Sequence, residues 1–140
     1  MSASNGYTGD VEGTVEVCFN NPIPSSYTPP VATATMEMKV EGLPATIAGG
    51  IHIHDGSCAS QGPHYWNADG SDPWFMEASN IAPTGTSYIT NDEGEGYGKF
   101  FFDNGYGLDG NAGKIVIIHG ETTLTGGDYL KIACGVLVED

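Results

Sequence analysis

The sequence predicts an all-β protein, an antiparallel Greek-key sandwich or barrel of about seven to eight strands joined by long loops. With 21 Gly and 8 Pro in 140 residues, turns must be frequent, which suits short strands better than long helices. Several windows alternate apolar and polar residues, and none sustains the 3.6-residue period of a helix. The length fits one core, so we expect residues 1–140 to form a single domain.

Alternating windows mark the individual strands. "DVEGTVEVCF" places Val15, Val17 and Phe19 on one face and acidic residues on the other, and "ATMEMKV" alternates in the same way. The prolines of "NNPIPSSYTPP" predict a loop between these two strands. "TSYIT" and "YGKFFFD" flank a Gly-rich turn and predict a hairpin. "KIVII" and "LKIACGVLV" are apolar enough to be covered on both faces for part of their length.

The formal charge of −14, with only four Lys plus Arg, excludes several partner classes. Nucleic acid and anionic membrane surfaces need a basic face, so neither is expected as a partner. No apolar stretch is long enough to span a membrane, so membrane insertion is not expected either. The charge favours solubility in a salty or extracellular setting. Calcium binding by the acidic turns is the weaker alternative, because no D-x-D-x-D-G loop is present.

Three of the four histidines lie within "GGIHIHDGSCASQGPH". In "GIHIHD" the period of a strand turns Ile51 and Ile53 towards the core and puts His52 and His54 side by side on the outer face of the sheet. Two imidazoles at i and i+2 form a metal clip, although two partly exposed histidines on an ordinary strand give the same pattern.

The other two histidines strengthen the metal interpretation. His64 follows a Gly-Pro turn in a loop, and His119 ends the apolar run "GKIVIIHG", where an unpaired polar ring is costly. Four imidazoles with no thiolate or thioether among the ligands indicate a borderline metal. The usual order of divalent affinities favours copper(II) over zinc for such a set.

Three cysteines allow at most one intramolecular bridge. Cys18 alternates with the acidic face of the first clear strand, so it should point outward. Cys58 and Cys134 form the better pair, since their bridge would pin the loop that carries His64 to the sheet. On the chain-entropy model such a closure is worth roughly 4 kcal/mol. Three reduced cysteines in a cytosolic protein are the alternative.

"GIHIHD", "CASQGPH", "GKIVIIHG" and "LKIACGV" resemble the core motifs of the copper/zinc superoxide dismutases in order, spacing and strand context. The resemblance runs from about Val11 to Val138. It also implies the disulfide between Cys58 and Cys134. It implies one copper per chain, with four ligands: His52, His54, His64 and His119.

The chain departs from that family at the zinc site. Residues 65–89 contain no histidine, so no zinc is expected, and the chain is similar to the copper-only branch. Members of that branch are extracellular and sometimes occur as tandem repeats. There a glutamate holds the histidine of G-P-H from behind. Glu77 in "MEASNI" matches that glutamate, and Asp69 and Asp72 are its competitors for His64.

Three further departures concern access and assembly. Lys131 replaces the family's active-site arginine and keeps the charge without the forked donor geometry. "GETTLTGGDY" is much shorter than the family's electrostatic loop, so copper should be more open to solvent. The gap between His54 and Cys58 is also shorter, which favours a monomer or one repeat of a multidomain chain.

The resemblance implies an antioxidant enzyme, a copper-only superoxide dismutase that cycles between Cu(II) and Cu(I). In that mechanism His64 releases copper and takes a proton in the reduced state, and Lys131 attracts and orients the superoxide anion. The alternative is a non-catalytic copper-binding or structural module of an extracellular repeat protein, favoured by the loss of the arginine and the short loop. A plain adhesive sandwich without metal would make the four-histidine match accidental.

Overall fold

The computed structural model describes residues 2–3, 10–19, 34–70, 72–74, 76–77, 84–121 and 131–139, and it is almost entirely β-structure. One short helix, α1 (Leu108–Asn111), interrupts the strands. The strands are, in chain order, β1 (Ser2–Ala3), β2 (Glu12–Phe19), β3 (Ala34–Glu41), β4 (Ala48–Gly56), β5 (Gln61–His64), β6 (Met76–Glu77), β7 (Thr84–Gly85), β8 (Ser87–Thr90), β9 (Gly96–Phe102), β10 (Ile115–Glu121) and β11 (Lys131–Val136). The all-β prediction is confirmed.

Nine of these strands form one antiparallel sheet that curls into a half-barrel. Its order is β1-β11-β10-β4-β8-β9-β3-β2, and β5 lies beside β4 off this path. β6 and β7 form a separate two-stranded sheet. The predicted antiparallel pairing is confirmed, and the Greek-key connectivity stays a prediction. The proline-rich segment 20–30 lies outside the described residues.

The alternation read from β3 decides which of its faces is buried. Met36 and Met38 are fully buried and Val40 nearly so, whereas Glu37 and Lys39 are on the other face. Each fully buried apolar side chain of this size contributes about 1.5–3 kcal/mol relative to an exposed one. The buried face of β3 therefore forms part of the main hydrophobic core.

β4 and β10 lie side by side in the middle of the sheet and are covered on both faces. On one face, Ile51 and Ile53 join the main core together with the neighbouring residues of β10. On the opposite face, Ile115 and Ile117 of β10 belong to a second small cluster. Two-sided coverage of "KIVII" is thus confirmed, so polar side chains on β4 and β10 start from strands that are packed on both faces.

The predicted hairpin is formed by β8 and β9, in register at Ile89 with Tyr97. Its turn is closed by the side-chain oxygen of Asn91, which accepts hydrogen bonds from the backbone N–H groups of Glu93 and Glu95. Gly94 adopts a φ of 76°, which a side chain would strain. The Gly-rich turn therefore fixes the register of the two strands.

Candidate metal centre

Strand β4 supplies two of the predicted histidines, His52 and His54, both on the face opposite the main core. In the antiparallel pair with β10, His52 lies opposite Ile117 and His54 opposite Ile115. The register between these strands shifts after Ile118. His119, the next residue, follows this irregularity and shares the face of the β4 histidines. Because His119 comes two residues after Ile117, strand alternation places it on the same face of the sheet as His52 and His54.

His64 is the last residue of β5, and it lies directly opposite His54 in the β4–β5 pair. Immediately after it, the Tyr65 N–H donates to the Ile53 carbonyl at 2.9 Å. The prediction that His64 sits on a loop was therefore wrong. A Gly-Pro sequence is compatible with this short strand because, within the described ranges, β5 pairs with β4 on one side and has no strand on the other.

The four imidazole rings gather in one place. His52 lies 4.8 Å from His64 and 4.7 Å from His119, measured between ring centroids. His54 lies 4.9 Å from His64 and 5.4 Å from His119. Ligand atoms of His52, His54 and His119 all lie within 4.8 Å of one another, close enough to bind one metal ion. The predicted meeting of His52 and His54 with the distant His119 is confirmed, and the role of His64 as a fourth ligand stays a prediction.

His52, His54 and His119 are buried, with relative exposures of 6%, 5% and 4%. The alternative of two partly exposed histidines on an ordinary strand is therefore wrong, since the rings of Trp74 and His64 lie close to His52. Burial, together with the neighbouring imidazoles, lowers the pKa of His52 to about 2. The ring is therefore neutral at ordinary pH, the form that binds a metal.

The ring of His52 has no hydrogen-bond partner for either nitrogen within the part of the chain that the structure describes. A buried polar group of this kind normally has at least one partner, and leaving it without one costs about 1–3 kcal/mol. This ring is therefore the clearest sign that the cluster receives a ligand from outside the protein.

His54 is oriented by its second nitrogen, since Nδ1 lies 2.9 Å from the carbonyl oxygen of Gly62. A carbonyl only accepts, so Nδ1 carries the proton and Nε2 offers a lone pair. That Nε2 lies 3.3 Å from Nε2 of His119. Two nitrogens each about 2.0 Å from one ion are separated by roughly this distance at a near-tetrahedral angle. The pair thus fits a shared metal ion.

His64 is oriented in a similar way by a carboxylate. Its Nδ1 lies 2.9 Å from Oδ2 of Asp72, one of the alternatives to Glu77 that the sequence left open. Of Glu77 the structure describes the backbone, paired with Thr84 in the β6–β7 sheet, and not the side chain. The assignment of Glu77 as the partner of His64 therefore stays a prediction.

Lys131 begins β11 and lies opposite His119 in the β10–β11 pair. Its charge reaches the cluster, because it is among the groups that lower the pKa of His54, after the larger effect of burial. The predicted role of Lys131 in attracting an anion stays a prediction. The short loop at residues 122–130 lies outside the described residues, so the expected solvent access of the ion stays a prediction.

The disulfide between Cys58 and Cys134 is present, with a Cα–Cα distance of 5.7 Å. It joins the turn after β4 to the middle of β11, and it packs against Ile115 and Ile117. Cys18 is exposed and free, as its place on the acidic face predicts. A hydrogen bond to Glu16 raises the pKa of the Cys18 thiol, so this thiol is less reactive than an ordinary one.

Sequence reasoning did not single out Tyr65, which fixes the chain beside His64. Its ring stacks on Tyr106 at 4.6 Å, and the Lys114 ammonium lies 4.5 Å from the ring centroid. Lys114 also pairs with Asp55, the neighbour of His54, at 2.9 Å. The residues next to two of the histidines are thereby tied to each other. No periodic signal predicts this, since the partners are distant in sequence.

Gly50 and Trp74 were also missed. A Cβ atom at Gly50 would lie 2.9 Å from Nε2 of His52, so the missing side chain makes room for the imidazole. The pair of glycines before "IHIH" was the available signal. Trp74 is 3% exposed and lies 6.1 Å from His52 between ring centroids. Nothing in its sequence context distinguishes this tryptophan from a core residue.

No protein family model matches this chain, and no curated protein is significantly similar to it in sequence. Among the described residues, no helix is long and apolar enough to cross a membrane. The fold and the site by themselves define an all-β domain in which three buried histidines lie close enough to bind a metal ion.

Proposed function

We propose that this chain is a copper-only superoxide dismutase, an enzyme that converts two superoxide anions and two protons to dioxygen and hydrogen peroxide. The observation that carries the proposal is the convergence of four imidazoles, with His52 buried and its two nitrogens without a partner among the described residues. A metal ion accepts several such lone pairs at once, which no single hydrogen-bond donor does.

The donor set favours copper over other metals. All four candidate ligands are imidazoles, and copper(II) binds nitrogen sites more tightly than the other divalent ions of its series. The sequence likeness to the copper/zinc dismutases supports the same metal. When bound, copper would supply the one-electron chemistry, alternating between Cu(II) and Cu(I). Residues 65–89 lack histidine, which supports a centre that works without zinc.

The protein's own groups have separate tasks in this proposal. His52, His54 and His119 would hold the ion from rigid strands, and burial keeps His52 neutral. His64 is the most exposed of the four and would take up and deliver a proton. Lys131 would attract the superoxide anion against the overall charge of −14.

The disulfide supports an oxidising location, because such bonds persist outside the cell and are rare in the cytosol. We therefore propose a location outside the cell or at its surface. The short gap between His54 and Cys58 supports a monomer or one repeat of a longer chain.

The test is to load the protein with copper, remove excess metal by dialysis, and measure metal content, electron paramagnetic resonance and superoxide decay with a chelator present. We expect one copper per chain, a nitrogen-ligand spectrum, no tightly held zinc, and turnover above chelated copper. A bound copper without turnover would leave a non-catalytic copper-binding module. Failure to retain copper would overturn both functions.

A further inference from the structure

We propose that Asp72 is a positioning residue for His64, because its carboxylate fixes the tautomer and the orientation of that ring. The hydrogen bond itself is independent of the metal, and only its effect on copper rests on the proposed function. Oδ2 of Asp72 lies 2.9 Å from Nδ1 of His64. A carboxylate at neutral pH only accepts, so Nδ1 carries the proton and Nε2 is the nitrogen left to bind a metal.

Asp72 is itself held in place by a second bond. Its other oxygen, Oδ1, accepts from the backbone N–H of Trp74 at 2.9 Å. The intervening Pro73 has a fixed φ, which restricts this turn further. Both oxygens of the carboxylate are therefore engaged, one with the turn and one with the imidazole, so the carboxylate cannot rotate without losing a bond.

Trp74 connects this turn to the core. Its ring is 3% exposed, and its centroid lies 4.9 Å from Phe102 of β9 and 6.1 Å from His52. Its Nε1 donates to the Tyr65 carbonyl at 2.9 Å, directly after His64. Asp72 thus approaches His64 from a segment that is fixed at two points, although Asp72 itself is partly exposed.

A carboxylate on the second nitrogen changes what His64 offers to a metal. It fixes the tautomer and the ring orientation, and it makes the imidazole a stronger donor. A stronger nitrogen donor stabilises Cu(II) more than Cu(I), so Asp72 should lower the reduction potential of the bound copper. The Asp72 carboxylate would thus determine both the orientation of the His64 ring and the basicity of its Nε2.

Two other acidic residues, Asp69 and Glu77, were candidates for the partner of His64. Asp69 belongs to the same loop, where its backbone N–H donates to the side chain of Asn67. The Asp69 side chain makes no hydrogen bond to His64 in the described structure, which makes it a matched control for charge. Glu77 is the competing candidate, and a variant at that position tests it directly.

The experiment compares Asp72→Ala and Asp72→Asn with Asp69→Asn and Glu77→Gln, after thermal unfolding has shown which variants stay folded. In metal-free protein, nitrogen NMR of the histidine rings should show His64 protonated at Nδ1 in the wild type. Asp72→Ala should change that tautomer population, and Asp69→Asn should not. This reading does not depend on copper, so it tests the contact even if the proposed function fails.

In copper-loaded protein, Asp72→Ala should weaken copper affinity by about 10- to 100-fold. Asp72→Asn keeps a neutral acceptor, so it should lose less affinity and still raise the reduction potential. A tenfold change in the ratio of Cu(II) to Cu(I) affinity corresponds to about 59 mV. An Asp72→Ala protein with wild-type tautomer, affinity and potential would overturn the proposal, as would the full loss appearing in Glu77→Gln instead.

Discussion

The candidate metal centre depends on a residue that has no side chain. Gly50 lies two positions before His52 on β4, so both face the same side of the strand. A Cβ atom there would lie 2.9 Å from Nε2 and 3.0 Å from Cε1 of His52. Gly49 is different, because its Cβ would meet the backbone oxygen of His119 and push two strands apart. At Gly50, in contrast, the added atom would meet the far end of a side chain, which can turn away.

We therefore expect Gly50→Ala to keep the fold while turning the ring of His52 away from the cluster. Copper affinity should fall by about 10- to 100-fold, the size of effect seen when the support of a ligand is lost. Copper competition with a chelator measures the affinity, and thermal unfolding measures the fold.

The control is Gly107→Ala, because a Cβ at Gly107 meets nothing within 4 Å. It should leave copper affinity within about twofold of the wild type, since isolated surface changes have small effects. Equal copper affinity in Gly50→Ala and the wild type would show that His52 does not need the space.

At the scale of elements, β5 and the turn before it are fastened to the sheet at two ends. The β4–β5 pair brings His64 opposite His54, and the disulfide fixes Cys58 to β11. A four-residue strand paired on one side has few backbone bonds of its own. The covalent bond therefore has a large share in keeping His64 beside the other histidines.

Replacing Cys58 by Ser should lower the free energy of unfolding by up to about 4 kcal/mol, since 76 residues separate the two cysteines along the chain. It should also weaken copper binding, because the segment that carries His64 is released at one end. Urea denaturation of the metal-free protein gives the first value, and copper competition gives the second.

Cys18→Ser is the matched control, because Cys18 is exposed and free. Its stability should stay within about 0.5 kcal/mol of the wild type. If Cys58→Ser were as stable as Cys18→Ser, the bridge would not be what holds this segment.

The whole molecule is strongly acidic, with a formal charge of −14 and four basic residues. Lys39 and Lys99 lie within 3.8 Å of Glu37, and Lys114 pairs with Asp55. Lys131 is the lysine that pairs in register with His119. In the proposed function, this net charge would repel a superoxide anion at long range, so the charge of Lys131 beside His119 would have to act near the site.

Lys131→Ala should lower the rate constant for superoxide at low salt by about tenfold. The decline of the rate with added salt should also become weaker, because salt screens the attraction that Lys131 provides. Stopped-flow measurement of superoxide decay over a series of ionic strengths gives both quantities.

Lys99→Ala changes the net charge by the same amount from a position away from the histidines. It should leave the rate nearly unchanged, and Lys131→Arg should restore the rate. Identical salt slopes in Lys131→Ala and the wild type would remove Lys131 from the mechanism.

Local pattern determined the fold class and most of the strands. Alternation in β3 and the apolar run of β10 predict which faces are buried, because the side-chain period of a strand is a property of the backbone. The spacing of His52 and His54 predicts a shared face for the same reason. The outward direction of Cys18 was also predictable from strand alternation. The Cys58–Cys134 bridge was predictable because it pins the segment before His64 to the sheet, and because the sequence motifs resemble those of the dismutases.

Contacts between distant segments were decided by the tertiary structure alone. The sequence left three carboxylates open as partners of His64, and the path of the chain from β5 to Trp74 brings Asp72 to Nδ1. The burial of the histidines likewise depends on what covers their face. The sequence specifies each strand through local periodicity, but a distance of 2.9 Å between two side chains depends on how every intervening turn packs.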